Sequence, residues 1–110
     1  MFTARGLNRS YVRITPKELF WEQIRQYTDE QEFLAFHEPS IYLLEEEIWD
    51  NDNILEKYYL IIANIEYSNH ILDERLMYLP KSLIEFLELF DFEFGSTVFD
   101  MLSNKPLTYL

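Results

Sequence analysis

The stretch QYTDEQEFLAFHEPSIYLLEEEIWDNDNILE, residues 26–56, decides both the fold and the function that this sequence predicts. It contains ten carboxylates and neither a lysine nor an arginine. Five aromatic side chains lie among the acids: Tyr27, Phe33, Phe36, Tyr42 and Trp49. Acidic surfaces attract positive charge, and aromatic side chains are common anchors at interfaces. The segment therefore predicts a binding site for a cationic partner.

The first half of this stretch has the pattern of a short helix. Thr28 followed by Gln31 resembles a helix start, which predicts a helix over Asp29–His37. We expect this helix to end at Glu38, because the residue before a proline, here Pro39, avoids the helical region.

The second half predicts another helix, from Ile41 to about Asp50, with Ser40 as its cap. At 100° per residue the apolar residues fall on one side, the acids on the other, and two aromatic residues on a flank. These groups are Ile41, Leu44 and Ile48; Glu46, Glu47 and Asp50; and Tyr42 and Trp49. Leu43 lies among the acids, where a role in the core does not explain it. Ten acids over residues 29–56 give one charge per roughly 4 Å of helix, close to the roughly 3.4 Å spacing of phosphates on one DNA strand.

Upstream, the clearest signal is Thr15-Pro16-Lys17-Glu18, which fits a helix start with Thr15 as the cap. A helical stripe follows, made of Leu19, Phe20, Ile24 and Tyr27. Residues 1–14 lack a helical period, so we expect an extended arm or an edge strand there.

Downstream, Ile54, Tyr58, Ile61 and Ile65 have helical spacing, which predicts a central buried helix up to Tyr67. Tyr58–Tyr67 is also rich in strand-forming residues, so a strand remains the alternative.

A helix starting at Pro80 is predicted to direct Leu83, Ile84, Leu87 and Phe90 to the core. Near the C-terminus, Gly95-Ser96 fits a hairpin turn that pairs Phe92 with Phe99. A short helix capped by Ser96 and ending at Leu102 is the alternative.

Composition supports one small, mainly α domain. The chain has 110 residues, 48% of them hydrophobic, with only two glycines and four prolines. Few turn residues and many helix formers favour about five short helices, with the C-terminal hairpin left open. The alternative is an α+β fold in which Tyr58–Tyr67 is a strand.

Charge predicts the class of partner. The net charge is −11, and the excess of acid is concentrated in residues 26–56. Such a protein repels nucleic acid and anionic lipid, so we expect a basic protein partner. An alternative is that Arg5, Arg9 and Arg13 fold back and neutralise the acidic segment. Self-association is left open.

Catalytic and metal chemistry find little support. No cysteine and only two histidines are present, and no phosphate-binding loop or nucleophile elbow occurs. Asp50-Asn51-Asp52-Asn53 resembles the opening of a calcium loop. However, Leu55 and Ile61 occupy the positions that require glycine and glutamate. We expect no enzyme activity, no cofactor and no metal.

Localisation follows from the apolar runs, which are too short for a membrane span of roughly 18 to 20 residues. No signal-peptide pattern follows Met1, and the absence of cysteine fits a reducing compartment. A cytoplasmic protein is predicted.

These features predict a partner-binding site at Tyr42, Leu43, Glu46, Glu47, Trp49, Asp50 and Asp52. We expect a non-enzymatic inhibitor of a cationic, nucleic-acid-processing protein: a bacterial toxin immunity protein or a phage-encoded nucleic-acid mimic. The alternative is a structural or regulatory subunit that binds a basic protein without inhibiting it.

One short segment carries a family resemblance. Residues 79–87, LPKSLIEFL, resemble the "LP…FL" step of the SUKH immunity superfamily. In that family a turn containing glycine and a long sheet follow. Here Gly95 comes late and fifteen residues remain after it, so the resemblance covers under a tenth of the chain.

Overall fold

A three-stranded antiparallel sheet with helices against one face forms the centre of the molecule. The computed structural model describes residues 4–27, 38–47, 50–102 and 104–110. In chain order the elements are β1 (Arg5–Gly6), β2 (Ser10–Pro16), α1 (Glu18–Arg25), β3 (Ser40–Leu44), α2 (Asn51–Ser68), a 3₁₀ turn (Glu74–Leu76), α3 (Leu83–Leu89), β4 (Phe90–Gly95) and β5 (Phe99–Asp100). The fold is therefore α+β, and the predicted mainly α class is wrong.

Strand β2 is the middle strand of this sheet, whose order is β3-β2-β4. Its residues alternate: Ser10, Val12 and Ile14 are buried against the helices, and the residues between them face the other side. Within residues 1–14, where an arm or an edge strand is expected, residues 10–14 thus belong to the central strand. The reason is tertiary, because both partners of β2 lie far along the chain.

The segment predicted as a helix from Ile41 to Asp50 is instead strand β3. It pairs with β2 in the register Tyr11↔Leu43 and Arg13↔Ile41. Pro39 lies just before β3 and favours an extended backbone there. Pairing with β2 then satisfies the backbone groups of Ser40–Leu44. The predicted helix over Asp29–His37, as well as Ile48 and Trp49, falls outside the described residues.

Helix α2 spans Asn51–Ser68, so Tyr58–Tyr67 is helical and the alternative strand is wrong. Its buried face, however, is not the predicted one. Leu55, Ile62, Ala63 and Tyr67 lie in the core, whereas Ile61 is 59% exposed and Ile65 42% exposed. The predicted apolar stripe lies beside the buried face. Helical spacing alone does not determine the rotation of the helix about its axis.

The C-terminal strands do not form the predicted hairpin. Strand β4 pairs with β2, in the register Ile14↔Phe92, whereas β5 pairs with β1, in the register Gly6↔Phe99. The alternative of a helix capped by Ser96 is also wrong, because residues 96–98 are not helical and Phe99–Asp100 form β5.

The other helices differ from prediction at their starts. Thr15 and Pro16 belong to β2, and Lys17 precedes α1 without a side-chain cap. Helix α3 begins after Ser82, whose hydroxyl accepts a hydrogen bond from the Glu85 N–H.

The core is aromatic where these helices meet the sheet. The Phe20 ring lies 5.0 Å from that of Phe90 and 4.9 Å from that of Tyr67, and Phe86 lies 4.9 Å from Phe90. Of the residues predicted to face the core from the Pro80 helix, Phe90 is buried but Ile84 is 74% exposed.

Gly95 lies under an aromatic ring. It pairs with Tyr11 across β2 and β4, and a Cβ added at Gly95 would overlap the Tyr11 ring. The substitution Gly95→Ala should therefore lower the free energy of unfolding by about 1–3 kcal/mol, measured by urea denaturation.

Two variants control this prediction. Gly6→Ala should change stability little, because the nearest atom to its new Cβ, Phe99 Cε1, would be at 3.8 Å. In a Tyr11→Ala background, Gly95→Ala should lose its cost, because the ring is gone. An equal cost in both backgrounds would contradict the contact.

Candidate functional site

Strand β3 lies at one edge of the sheet and carries no charged residue. One side of its backbone pairs with β2, and no described residue pairs with the other side. Ile41 is 56% exposed and Leu43 is 52% exposed, both on the face of the sheet away from the helices. Edge strands are usually protected by charges, proline or bulges, because their free backbone groups can pair with another chain. Ser40–Leu44 contains no charge and no proline.

The alternate residues of β3 point inward, and Tyr42 is one of them. Its hydroxyl donates a hydrogen bond to a carboxylate oxygen of Glu66, which is 4% exposed. Burial raises the pKa of Tyr42 above its ordinary value, and the hydrogen bond to Glu66 raises it further. The protonated hydroxyl thus remains hydrogen-bonded to a buried acid, so Tyr42 does not present its polar end to a partner.

Acidic residues flank β3 at both ends. Glu38 precedes it, and Glu46 and Glu47 follow it; all three are exposed. They form no hydrogen bond or ion pair with any residue in the described ranges. Their charges therefore face solvent at the two ends of the strand that carries the exposed apolar side chains. We call Ile41, Leu43, Glu38, Glu46 and Glu47 the β3 surface.

Glu45 differs from its two neighbours because it is bound within the protein. Lys57 Nζ lies 3.6 Å from Glu45 Oε2, and the Tyr58 hydroxyl donates a hydrogen bond to Oε1. The hydrogen bond from Tyr58 is the main reason that the pKa of Glu45 lies below its ordinary value. Glu45 thus links the end of β3 to the first turns of α2.

Asp50 has a structural role at the start of α2. Its Oδ1 accepts a hydrogen bond from the Asn53 N–H at 3.3 Å, and its Oδ2 accepts one from the Asn53 side-chain amide at 2.9 Å. An acid at this position also interacts favourably with the helix dipole. Trp49 and the side chain of Asp52 lie outside the described part of the chain.

The structure therefore brings together Leu43, Glu46 and Glu47 from the predicted site. Ile41 lies on the same face of β3 as Leu43, whereas the helical pattern places it in the core. The signal that indicates it is the short run Ser40–Leu44, rich in strand formers and bounded by Pro39 and by acids.

The basic residues near the N-terminus bind elsewhere in the described structure. Arg13 forms a 2.6 Å ion pair with Glu93, and Arg9 donates hydrogen bonds to Asn8. Arg5 lies opposite Asp100 in the ladder between β1 and β5. Among the described residues, none of the three neutralises Glu38, Glu46 or Glu47.

A cleft of about 430 Å³ borders the β3 surface on the outer face of the sheet. It is lined by Tyr11, Arg13, Ile41, Glu93, Thr97, Val98 and Phe99. The ion pair between Arg13 and Glu93 is part of its lining. No local sequence signal indicates this cleft, because it joins residues from both ends of the chain.

Within the described residues, no cluster of three or more His, Asp or Glu side chains is arranged to hold a metal ion. The same residues include no helix long and apolar enough to cross a membrane. No protein-family model, curated protein sequence or solved structure matches this chain. The geometry of the β3 surface is therefore the basis for a functional assignment.

The bond from Tyr42 to Glu66 generates a stability prediction. Tyr42→Phe removes the hydrogen bond to the buried Glu66 carboxylate, so the free energy of unfolding should fall by about 1–3 kcal/mol. Thermal and urea unfolding measure the change. Tyr109→Phe is the matched control and should have no effect, because Tyr109 is fully exposed. Equal stability of the two variants would show that the hydrogen bond from Tyr42 to Glu66 does not contribute to the free energy of unfolding.

Proposed function

We propose that this chain is a non-enzymatic binding protein whose β3 surface blocks a cationic, nucleic-acid-processing protein. The proposal depends on one observation: two exposed apolar side chains, Ile41 and Leu43, lie on a strand flanked by acids that have no described partner. Apolar contacts would lengthen the lifetime of a complex, and the acids would speed its formation.

The charge of the whole chain supports a basic partner. A net charge of −11 creates a long-range field that steers positive surfaces towards the protein and repels nucleic acid. None of the ion pairs within the described residues involves Glu38, Glu46 or Glu47, so these acids are available to a partner. The predicted acidic helix is replaced by strand β3, and the proposal does not require that helix.

A second function rests on the same surface. A structural or regulatory subunit would bind a basic protein without blocking its activity. Inhibition distinguishes the two: a blocking protein reduces nuclease activity in proportion to complex formed, whereas a regulatory subunit binds and leaves activity intact.

The test combines binding kinetics with an activity assay on a panel of purified basic nucleases. For a nuclease that the protein binds, the double variant Glu46→Lys, Glu47→Lys should reduce the association rate at low salt by about tenfold or more. Raising the salt concentration should shrink the difference, because ions screen exposed charges. Stability should change little, since both side chains are exposed.

The matched control is Glu74→Lys with Glu88→Lys, which changes the net charge equally at two exposed acids outside the β3 surface. It should slow association much less. If both double variants slow association equally, overall charge rather than the β3 surface attracts the partner. If no basic nuclease binds in a salt-dependent way, the proposal fails.

A further inference from the structure

One backbone edge of β3 has no pairing partner among the described residues, and this edge points to a specific mode of binding. We infer that the partner adds an extended segment to this edge as a fourth strand, and that this segment has alternating apolar residues with Lys or Arg at both ends. The inference rests on the proposed function, because it takes the β3 surface as the binding site. It adds the conformation and the chemistry of the segment that is bound.

The backbone of an edge strand provides the affinity in such a complex. Alternate residues of β3 direct their N–H and C=O groups away from β2, where an added strand can pair with them. Side chains of the added strand would alternate between the two faces, and those on the outer face would pack beside Ile41 and Leu43. Ser40–Leu44 is five residues long, so about 17 Å of an extended segment would be bound.

The opposite edge of the sheet is protected against the same reaction. Strand β4 carries Asp91 and Glu93 on its outer face, and they pair with Lys17 at 3.8 Å and with Arg13 at 2.6 Å. Charged side chains on an edge strand disfavour addition of another strand. Only β3, of the two edges, combines an uncharged sequence with exposed apolar residues.

The flanking acids determine which segment can bind. If a second copy added its β3 in antiparallel fashion about a two-fold axis at Tyr42, Glu38 would lie opposite Glu46 of that copy. Like charges directly opposite each other in a sheet are destabilising. A segment with basic residues at both ends meets acids at both ends instead, so charge complementarity selects a basic partner over a second copy.

The experiment uses a nine-residue peptide, with two basic residues on each side of the alternating segment Val-Thr-Ile-Thr-Val. Binding to the ¹⁵N-labelled full chain is followed by NMR. Two N-methylated forms serve as matched probes, one methylated at the Val and Ile residues and the other at the two Thr residues. They keep the charge and the side chains, but each lacks the N–H donors along one edge of the peptide strand.

Strand addition predicts that one methylated form loses at least tenfold in affinity, while the other binds like the parent peptide. Amide signals of Ser40–Leu44 should shift most, and amide exchange there should slow. If both methylated forms bind as tightly as the parent, or if no peptide binds at millimolar concentration and low salt, strand addition is overturned.

A protein variant locates the contact independently. Leu43→Lys should weaken binding of the parent peptide at least tenfold, because it places a positive charge in the middle of the β3 edge. Ile84→Lys, at a 74% exposed site on α3, makes the same change elsewhere and should have little effect. If the two variants bind the peptide equally, the segment does not bind at β3.

The same titrations separate this inference from the proposed function. If both methylated peptides bind equally and Glu46→Lys with Glu47→Lys abolishes their binding, the acidic surface stands and strand addition fails. The parent peptide could instead bind through its N–H groups without dependence on salt or on Glu46 and Glu47. That result would support strand addition and contradict the acidic surface of the proposed function. Dimerisation of the free protein that Leu43→Lys abolishes would assign the edge to a second copy and overturn the inference.

Discussion

The double pairing of Ser10–Pro16 is the constraint on which the rest of this structure depends. On one side β2 binds Ser40–Leu44, and on the other it binds Phe90–Gly95. Backbone bonds extend the pairing at both ends: the Ser10 N–H donates to the Glu45 carbonyl at 3.0 Å, and the Lys17 N–H donates to the Leu89 carbonyl at 2.8 Å. Three distant parts of the chain thereby become one sheet. The position of β3 at an edge is a consequence of this order.

The sheet also explains how the acids are distributed. Once residues 40–44 are extended, the acids that follow them cannot form one face of a helix. They are divided by role: Glu45 binds Lys57 and Tyr58, Asp50 caps α2, and Glu46 and Glu47 remain exposed. Asp50, predicted near the end of a helix, instead lies at the start of one, where an acid interacts favourably with the helix dipole. Part of the acidic segment thus stabilises the fold, and part of it is exposed to solvent.

Sequence patterns predict this fold where contacts are local and fail where they are not. The central helix is predicted because its apolar spacing extends over more than three turns, although its buried side is not. Strand β3 is missed because Ile41, Leu44 and Ile48 fit a helical period over too short a run to exclude a strand. Gly95 indicates a turn by composition, but its role is to lie under the Tyr11 ring, a contact between residues 84 positions apart. At the candidate site, Leu43, Glu46 and Glu47 coincide with the sequence prediction, whereas Ile41 and Glu38 require knowledge of the strand.

The measurement that tests the central claim most directly is amide hydrogen exchange of Ser40–Leu44 in the free protein. A free edge predicts alternation: amides that donate to β2 exchange slowly, and those between them exchange orders of magnitude faster, at every protein concentration. Slow exchange of all five amides would show that the edge is already covered, by another part of the chain or by a second copy. Uniformly slow exchange of these amides would contradict the assignment of β3 as an open edge strand. Uniformly fast exchange would contradict it as well.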